Sequence, residues 1–211
     1  MTLMYKYFVS GFKRLGVFPQ ILILPLVMEL ANLTNNILIT VPIVIIFTVT
    51  TFVFTKAAFL YPESNNYDWM LGFRQLFKRS FFPLVVMYGV LVLLALLSFV
   101  GLNIFGIDAA SGIKTATFFV TLAGFAVNVL AVFHAVYFAV EDKGFFESYI
   151  LSAKEFRNHG AFMLLAGLLL LFPRILHQFF DPAKLLYPFF TLLILSSAVA
   201  YYKEKIKNNG R

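Results

Sequence analysis

The stretch Glu141–Leu176, EDKGFFESYILSAKEFRNHGAFMLLAGLLLLFPRIL, decides the fold. Its first half is amphipathic and its second half, from Gly160 on, is apolar. On a helix Phe145, Phe146, Tyr149, Ala153 and Phe156 fall near the spacings i, i+4, i+8 and i+11 and share a face, while Glu147, Lys154, Glu155 and Arg157 populate the other. That pattern predicts a helix lying on a membrane surface. Ala161 to Phe172 carries no charge and feeds a membrane span, so the stretch reads as an interfacial helix hinged at Asn158-His159-Gly160 onto a transmembrane one. A soluble helical hairpin with a buried second arm is the alternative, and the equally apolar remainder of the chain argues against it.

Working outward, 61% of the 211 residues are hydrophobic and 13% are charged, against about a quarter charged in ordinary soluble domains. The expected class is therefore all-α, a single polytopic transmembrane helical bundle over residues 1–211 with amphipathic cytoplasmic interfacial helices. The net charge of +7 raises the question of nucleic acid, but the bases cluster where membrane topology places them, and no nucleic-acid partner is expected. Cysteine is absent, which excludes disulfides, thiolate metal sites, cysteine nucleophiles and palmitoyl anchors. The first apolar run, from Val17, is not followed by a small-residue cleavage site and is expected to be retained.

Six segments qualify as spans: Val17–Leu33, Ile37–Leu60, Phe82–Phe105, Thr115–Val140, Ala161–Phe179 and Leu185–Tyr202. The first is short and holds Pro19, Pro25 and Glu29, so a hairpin or half-inserted segment is the alternative there. Charge sets the orientation. Placing the termini and the loops after spans two and four on one side gathers Lys6, Lys13, Arg14, Lys56, Arg74, Lys78, Arg79, Lys143, Lys154, Arg157, Lys203, Lys205, Lys207 and Arg211 there, against Lys114, Arg174 and Lys184 opposite. Fourteen bases against three predict a cytoplasmic (inner) membrane protein with both termini cytoplasmic. Tyr5, Tyr7, Tyr61, Trp69, Tyr201 and Tyr202 sit near the expected cytoplasmic boundaries, where such rings are favoured.

A device recurs before the odd-numbered spans: Phe12-Lys13-Arg14, Phe77-Lys78-Arg79 and Phe156-Arg157-Asn158. Apolar residues precede each at helical spacing, Phe8 and Phe12 in the first and Trp69, Phe73 and Phe77 in the second, the latter opposing Arg74, Gln75 and Lys78. The intervals differ, so this is a loose repeat of helix-plus-hairpin units and not a solenoid.

The stretch from Ala135 to Asn158, AVYFAVEDKGFFESYILSAKEFRN, with a fainter echo at Trp69 to Phe82, resembles the bacterial six-span proteins typified by the YciC family and the membrane domain attached to some glycerophosphoryl diester phosphodiesterases. The likeness is an apolar span, a short charged turn and an amphipathic helix leading into the next span. The resemblance implies an all-helical cytoplasmic-membrane protein and no reaction.

Polar residues within apolar spans are the candidate ligand sites, since a charge at the bilayer centre costs about 2.5–3.5 kcal/mol on insertion scales. Glu29, followed by Asn32, Asn35 and Asn36, is placed to bind a cation or polar headgroup, or to serve as a solvated structural acid. Asn128 reads as an interhelical hydrogen-bonding residue. His134 either lines a polar path or packs as a buried imidazole. Arg174, His177 and Asp181 follow i, i+3, i+7 spacing and form either an anion-binding cluster or an interfacial ion pair. The three histidines lack zinc-site spacing, and no nucleophile elbow, phosphate loop, dinucleotide fingerprint or intramembrane carboxylate pair occurs, so no catalytic residue, cofactor or metal is expected. Asn32-Leu33-Thr34 matches a glycosylation sequon close to the membrane. Gly89, Gly101, Gly106, Gly124 and Gly167 are candidates for close helix packing.

The leading expectation is a non-enzymatic accessory subunit or lipid-interacting scaffold whose partners are the bilayer, bound lipid or other membrane subunits. The alternative is a small transporter or substrate-capture component, for which Glu29, Asn128, His134, Thr48, Thr50 and Thr51 are the available polar residues. An intramembrane enzyme ranks last.

Overall fold

The computed structural model describes residues 2–23, 26–27, 37–104, 122, 125–177 and 186–208. Helix α1 spans Thr2–Val17 and is followed by a tight 3₁₀ turn, Pro19–Leu22. Then come α2 (Ile37–Leu60), α3 (Trp69–Ile104), α4 (residues 125–130), α5 (His134–Ala139), α6 (Phe145–His177) and α7 (Leu186–Tyr201), the last running into a π-helical turn, Tyr202–Lys207. Among the described residues there is no strand. By length and composition two helical stretches, Ile39–Leu60 and Phe145–Pro173, are long and apolar enough to cross a membrane. Helix α3 is 36 residues long and has no charged residue after Arg79.

Local chemistry sets these boundaries. Helix α2 stops at Leu60 because Tyr61 precedes Pro62 and is steered out of helical dihedrals. Asp68 caps α3, its carboxylate accepting the Leu71 N–H at 2.9 Å. At the start of α6 the Glu147 carboxylate reaches back to the Gly144 N–H at 3.2 Å, the reciprocal arm of a capping box. The Glu141-Asp142-Lys143-Gly144 turn reverses the chain through Asp142, whose φ of 53° lies in the left-handed region that aspartate tolerates better than most side chains. Within α6, His159 leaves helical dihedrals (φ −126°, ψ 18°), which puts a kink at the expected hinge.

Helix α5 is the centre of the fold. All six of its residues are buried, and it touches α2, α6 and α7. Its Ala135, Phe138 and Ala139 pack with Val49, Phe52, Leu76 and Leu84 of α2 and α3. Its Val136 and Tyr137 pack with Phe162, Met163, Leu192 and Val199 of α6 and α7. Helix α1 lies antiparallel along α7: Lys6 meets Glu204, and the Gly11 carbonyl accepts the Ser196 hydroxyl at 2.9 Å. A Cβ on Gly11 would sit 2.9 Å from the backbone nitrogen of Ser197, so only glycine allows this approach. Gly167 plays the same part between α6 and α4, where a Cβ would press on Val129 and Phe125. Gly89 faces open space, so the packing role expected of it is not seen, while Gly106 and Gly124 lie outside the described residues.

The amphipathic faces are rotated from their expected positions. Helix α1 buries Tyr7, Gly11 and Leu15, and Phe18 just beyond its end is buried too; Phe8 stacks near Phe162, but Phe12 is 61% exposed. In α6 the buried stripe is Phe145, Ser148, Ser152, Phe162 and Met163, and Phe146 is exposed. Glu155 turns inward, away from the charged face on which its spacing placed it. Trp69, Phe73 and Phe77 of α3 do lie against the core, with Arg74, Gln75 and Lys78 exposed opposite them.

Candidate functional site

The segment expected as the fourth span is broken. Between α4 and α5, Ala131–Phe133 forms a turn, which leaves backbone groups without helical partners. Ser152 of α6 supplies them: its hydroxyl donates to the Leu130 carbonyl at 2.6 Å and accepts the Phe133 N–H at 3.0 Å. His134 follows at once. Its Nε2 donates to the Phe145 carbonyl at 3.2 Å and its ring stacks on Tyr149 at 3.7 Å, so this buried imidazole ties α5 to the start of α6.

Toward the Glu141–Gly144 turn the polar contacts multiply. The Tyr137 hydroxyl donates to Glu155 Oε1, and His159 Nε2 lies 3.4 Å from Glu155 Oε2. Nδ1 of His159 meets the Tyr201 hydroxyl at 3.0 Å. The inward carboxylate thus has the Tyr137 hydroxyl on one oxygen and the His159 ring near the other, which is what makes its partial burial tolerable. Beside it, Glu141 pairs with Lys207 at 3.3 Å. Arg79 of α3 grips the turn itself, bonding Asp142 at 2.6 Å and the carbonyls of Phe138 and Lys143, with its guanidinium 4.7 Å from the Phe138 ring centroid. Lys56 of α2 approaches the same Asp142 at 3.8 Å.

These contacts gather the bases at one end of the bundle. There, between α1 and the last turns of α7, a cavity of about 390 Å³ is lined by Lys6, Tyr7, Ser10, Arg14, Lys203, Glu204 and Asn208, among others. Lys6 and Glu204 form an ion pair at 2.6 Å, and the Tyr7 hydroxyl donates to the same carboxylate at 3.1 Å. The bond from Lys6, more than any other cause, holds the Glu204 carboxyl below its usual range. Burial first, and the Glu204 carboxylate second, push the Tyr7 phenol up to about 12. Arg14 donates to the Ala58 carbonyl at 2.7 Å, and burial lowers its guanidinium from the usual value without discharging it. Lys203 lies 5.5 Å from the Phe59 ring centroid. Elsewhere, an apolar groove of about 270 Å³ opens between α2 and α3 over Val41, Ile45, Val85, Tyr88 and Gly89.

The residues singled out in the sequence do not come together. Asn128 borders a small crevice with Phe125, Gly167 and Leu171. His134 is packed as described. Glu29, its neighbouring asparagines and Asp181 lie outside the described residues, and Arg174 and His177 are placed on the last turns of α6 by their backbone alone. Thr48, Thr50 and Thr51 donate to α2's own carbonyls at 2.7–2.8 Å. The cluster at the charged end was missed because its members come from six separated places in the chain. The signal that could have found it is Tyr137 and Tyr201 at helix ends, each with a glutamate one helical turn on, Glu141 and Glu204. Among the described residues no group of three His, Cys, Asp or Glu side chains is arranged to hold a metal ion. Compared with protein-family models, curated proteins and solved structures, the chain matches none.

Proposed function

We propose that this chain is a non-enzymatic, multi-pass protein of the cytoplasmic membrane that works as a lipid-interacting scaffold or accessory subunit, with both termini in the cytoplasm. One observation carries the reading: the bundle spends its inner polar groups on itself and turns apolar side chains outward. His134, Ser152, Thr55 and Ser80 are all committed to backbone groups, while Phe82, Leu93, Leu168 and Phe172 are exposed on the long helices. A hydrated path needs unspent polar partners along its length, and a water-facing surface would not present such rows of large apolar residues. The resemblance of Ala135–Asn158 to six-span membrane proteins agrees with this reading.

The transporter reading has its own support in the broken helix at Ala131–Phe133, because discontinuous helices build substrate sites in many carriers. Against it, Ser152 already satisfies the freed Leu130 and Phe133 groups. Two measurements decide. The protein is expected to stay with membranes through alkaline carbonate extraction, and reconstituted liposomes are expected to show only background flux of small ions and polar solutes. Extraction into the aqueous phase overturns the membrane reading; a robust flux abolished by His134→Ala replaces the scaffold with the transporter.

A further inference from the structure

We propose that the cavity between α1 and the end of α7 is a binding site for a phosphate-bearing anion, with Arg14 and Lys203 as its cationic ligands. The phosphate comes either from the headgroup of an anionic phospholipid or from a soluble phosphate compound. The lipid source rests on the membrane reading above; the anion site does not.

The argument starts from charge. The cavity walls carry Lys6, Arg14 and Lys203 against the carboxylate of Glu204. Glu204 is matched at 2.6 Å by Lys6 and further held by Tyr7, which leaves two cations over. Arg14 is the more telling of the two. Its guanidinium is partly withdrawn from water, and among the described residues its bond is to the uncharged Ala58 carbonyl and no carboxylate lies within 4 Å of it. A desolvated cation without a counterion is costly, and a guanidinium fork beside an open volume is well shaped for a phosphate. Lys203 leans over Phe59 and brings a second, flexible ammonium to the same space. Ser10 and Asn208 add uncharged donors at the wall. The volume, about 390 Å³, accommodates a headgroup with its phosphate.

Position favours the lipid source. The cavity opens at the end of the bundle where the bases collect, the place at which basic pockets between helices meet anionic headgroups. Two aromatic side chains of α1 stand free of the core, Tyr5 at 71% and Phe12 at 61% exposure, as a helix dipping into the headgroup layer would present them.

The test uses the full-length protein in two settings. In nanodiscs of phosphatidylcholine with a minor share of phosphatidylglycerol, native mass spectrometry should find phosphatidylglycerol enriched on the wild type. Arg14→Gln and Lys203→Gln should each reduce that enrichment about tenfold, while Lys78→Gln, the same charge change at an exposed site on α3, should leave it unchanged. Arg14→Lys keeps the charge but loses the fork and should fall between. In neutral detergent without lipid, inorganic phosphate should raise the melting temperature of the wild type and not of Lys203→Gln. Stabilisation by phosphate without lipid enrichment assigns the site to a soluble compound. Absence of both effects, or an equal loss in Lys78→Gln, overturns the proposal, and does so even if carbonate extraction has upheld the membrane reading.

Discussion

Two side chains hold positions that nothing else in the chain can fill. Ser152 is the partner of both backbone groups set free by the Ala131–Phe133 turn, so Ser152→Ala strands a carbonyl and an N–H in a buried setting. We expect a loss of about 1–3 kcal/mol for each stranded group, read as a lower melting temperature and faster proteolysis near residue 131; an unchanged melting temperature would mean that water or another donor serves the break. Tyr7 makes a different, pH-dependent contribution. Its pKa is raised in the folded state to about 12 from an ordinary 10, so its bond to Glu204 stabilises fully below pH 10 and is lost as pH rises toward 12. The difference in melting temperature between the wild type and Tyr7→Phe should therefore be constant up to about pH 10 and shrink above it. A difference near zero at every pH would show that the ring, and not the hydroxyl, is what α1 needs. Glu204 works in the opposite sense: its carboxyl is lowered in the folded state, so its pairing with Lys6 is present above the ordinary carboxylate range and fails as pH falls through the lowered value.

Helices in this fold meet where glycine lets them. Gly11→Ala forces a methyl against the Ser197 backbone and should separate α1 from α7 at a cost of about 1–3 kcal/mol, whereas Gly16→Ala, on the same helix with nothing within 4 Å, should be neutral or gain about 0.5–1 kcal/mol. Equal effects at the two positions would rule out the crossing as a source of stability. The elements themselves were largely legible. An uncharged run bounded by polar residues leaves little freedom, and α2 occupies Ile37–Leu60, while α7 falls within a residue of its expected ends. The kink at His159 was legible too, because amphipathic sequence gives way to apolar sequence there. The break before His134 was not. Ala131, Val132 and Phe133 carry no glycine or proline, and the serine that closes the break lies on another helix. Glu155 misled for the same reason: helical period sets it among charges, but its donor Tyr137 lies on another helix, and Tyr201, which bonds its neighbour His159, comes from a third; both arrive only when the helices pack. Periodicity reports a helix's own faces, and long-range polar pairing lies beyond it.

At the scale of the whole molecule, the question is how many times the chain crosses the bilayer, and the charged end supplies the argument. Arg14 bonds Ala58 at the end of α2, Lys203 and Lys207 lie over Phe59, Lys207 pairs with Glu141, and Arg79 and Lys56 converge on Asp142. The end of α2, the first turns of α3, the turn before α6 and the end of α7 therefore meet at one pole, and helices that leave this pole must turn back to reach it again. Helix α3 leaves it at Arg79 and continues uncharged to Ile104, twenty-five residues or roughly 37 Å, more than the hydrocarbon thickness of a bilayer. If α3 crosses, residue 63 lies on the basic side with the C-terminus and residue 111 lies opposite; if only α2 and α6 cross, residues 63 and 111 share a side. The chain has no cysteine, so Glu63→Cys, Ser111→Cys and Arg211→Cys can each be probed singly with an impermeant thiol reagent. We expect Cys at 63 and 211 to react in inverted membrane vesicles and Cys at 111 to react in intact cells, since bases are retained on the cytoplasmic face. Reaction of 63 and 111 from the same side would show that α3 does not cross, leaving α2 and α6, the two stretches that length and composition alone support.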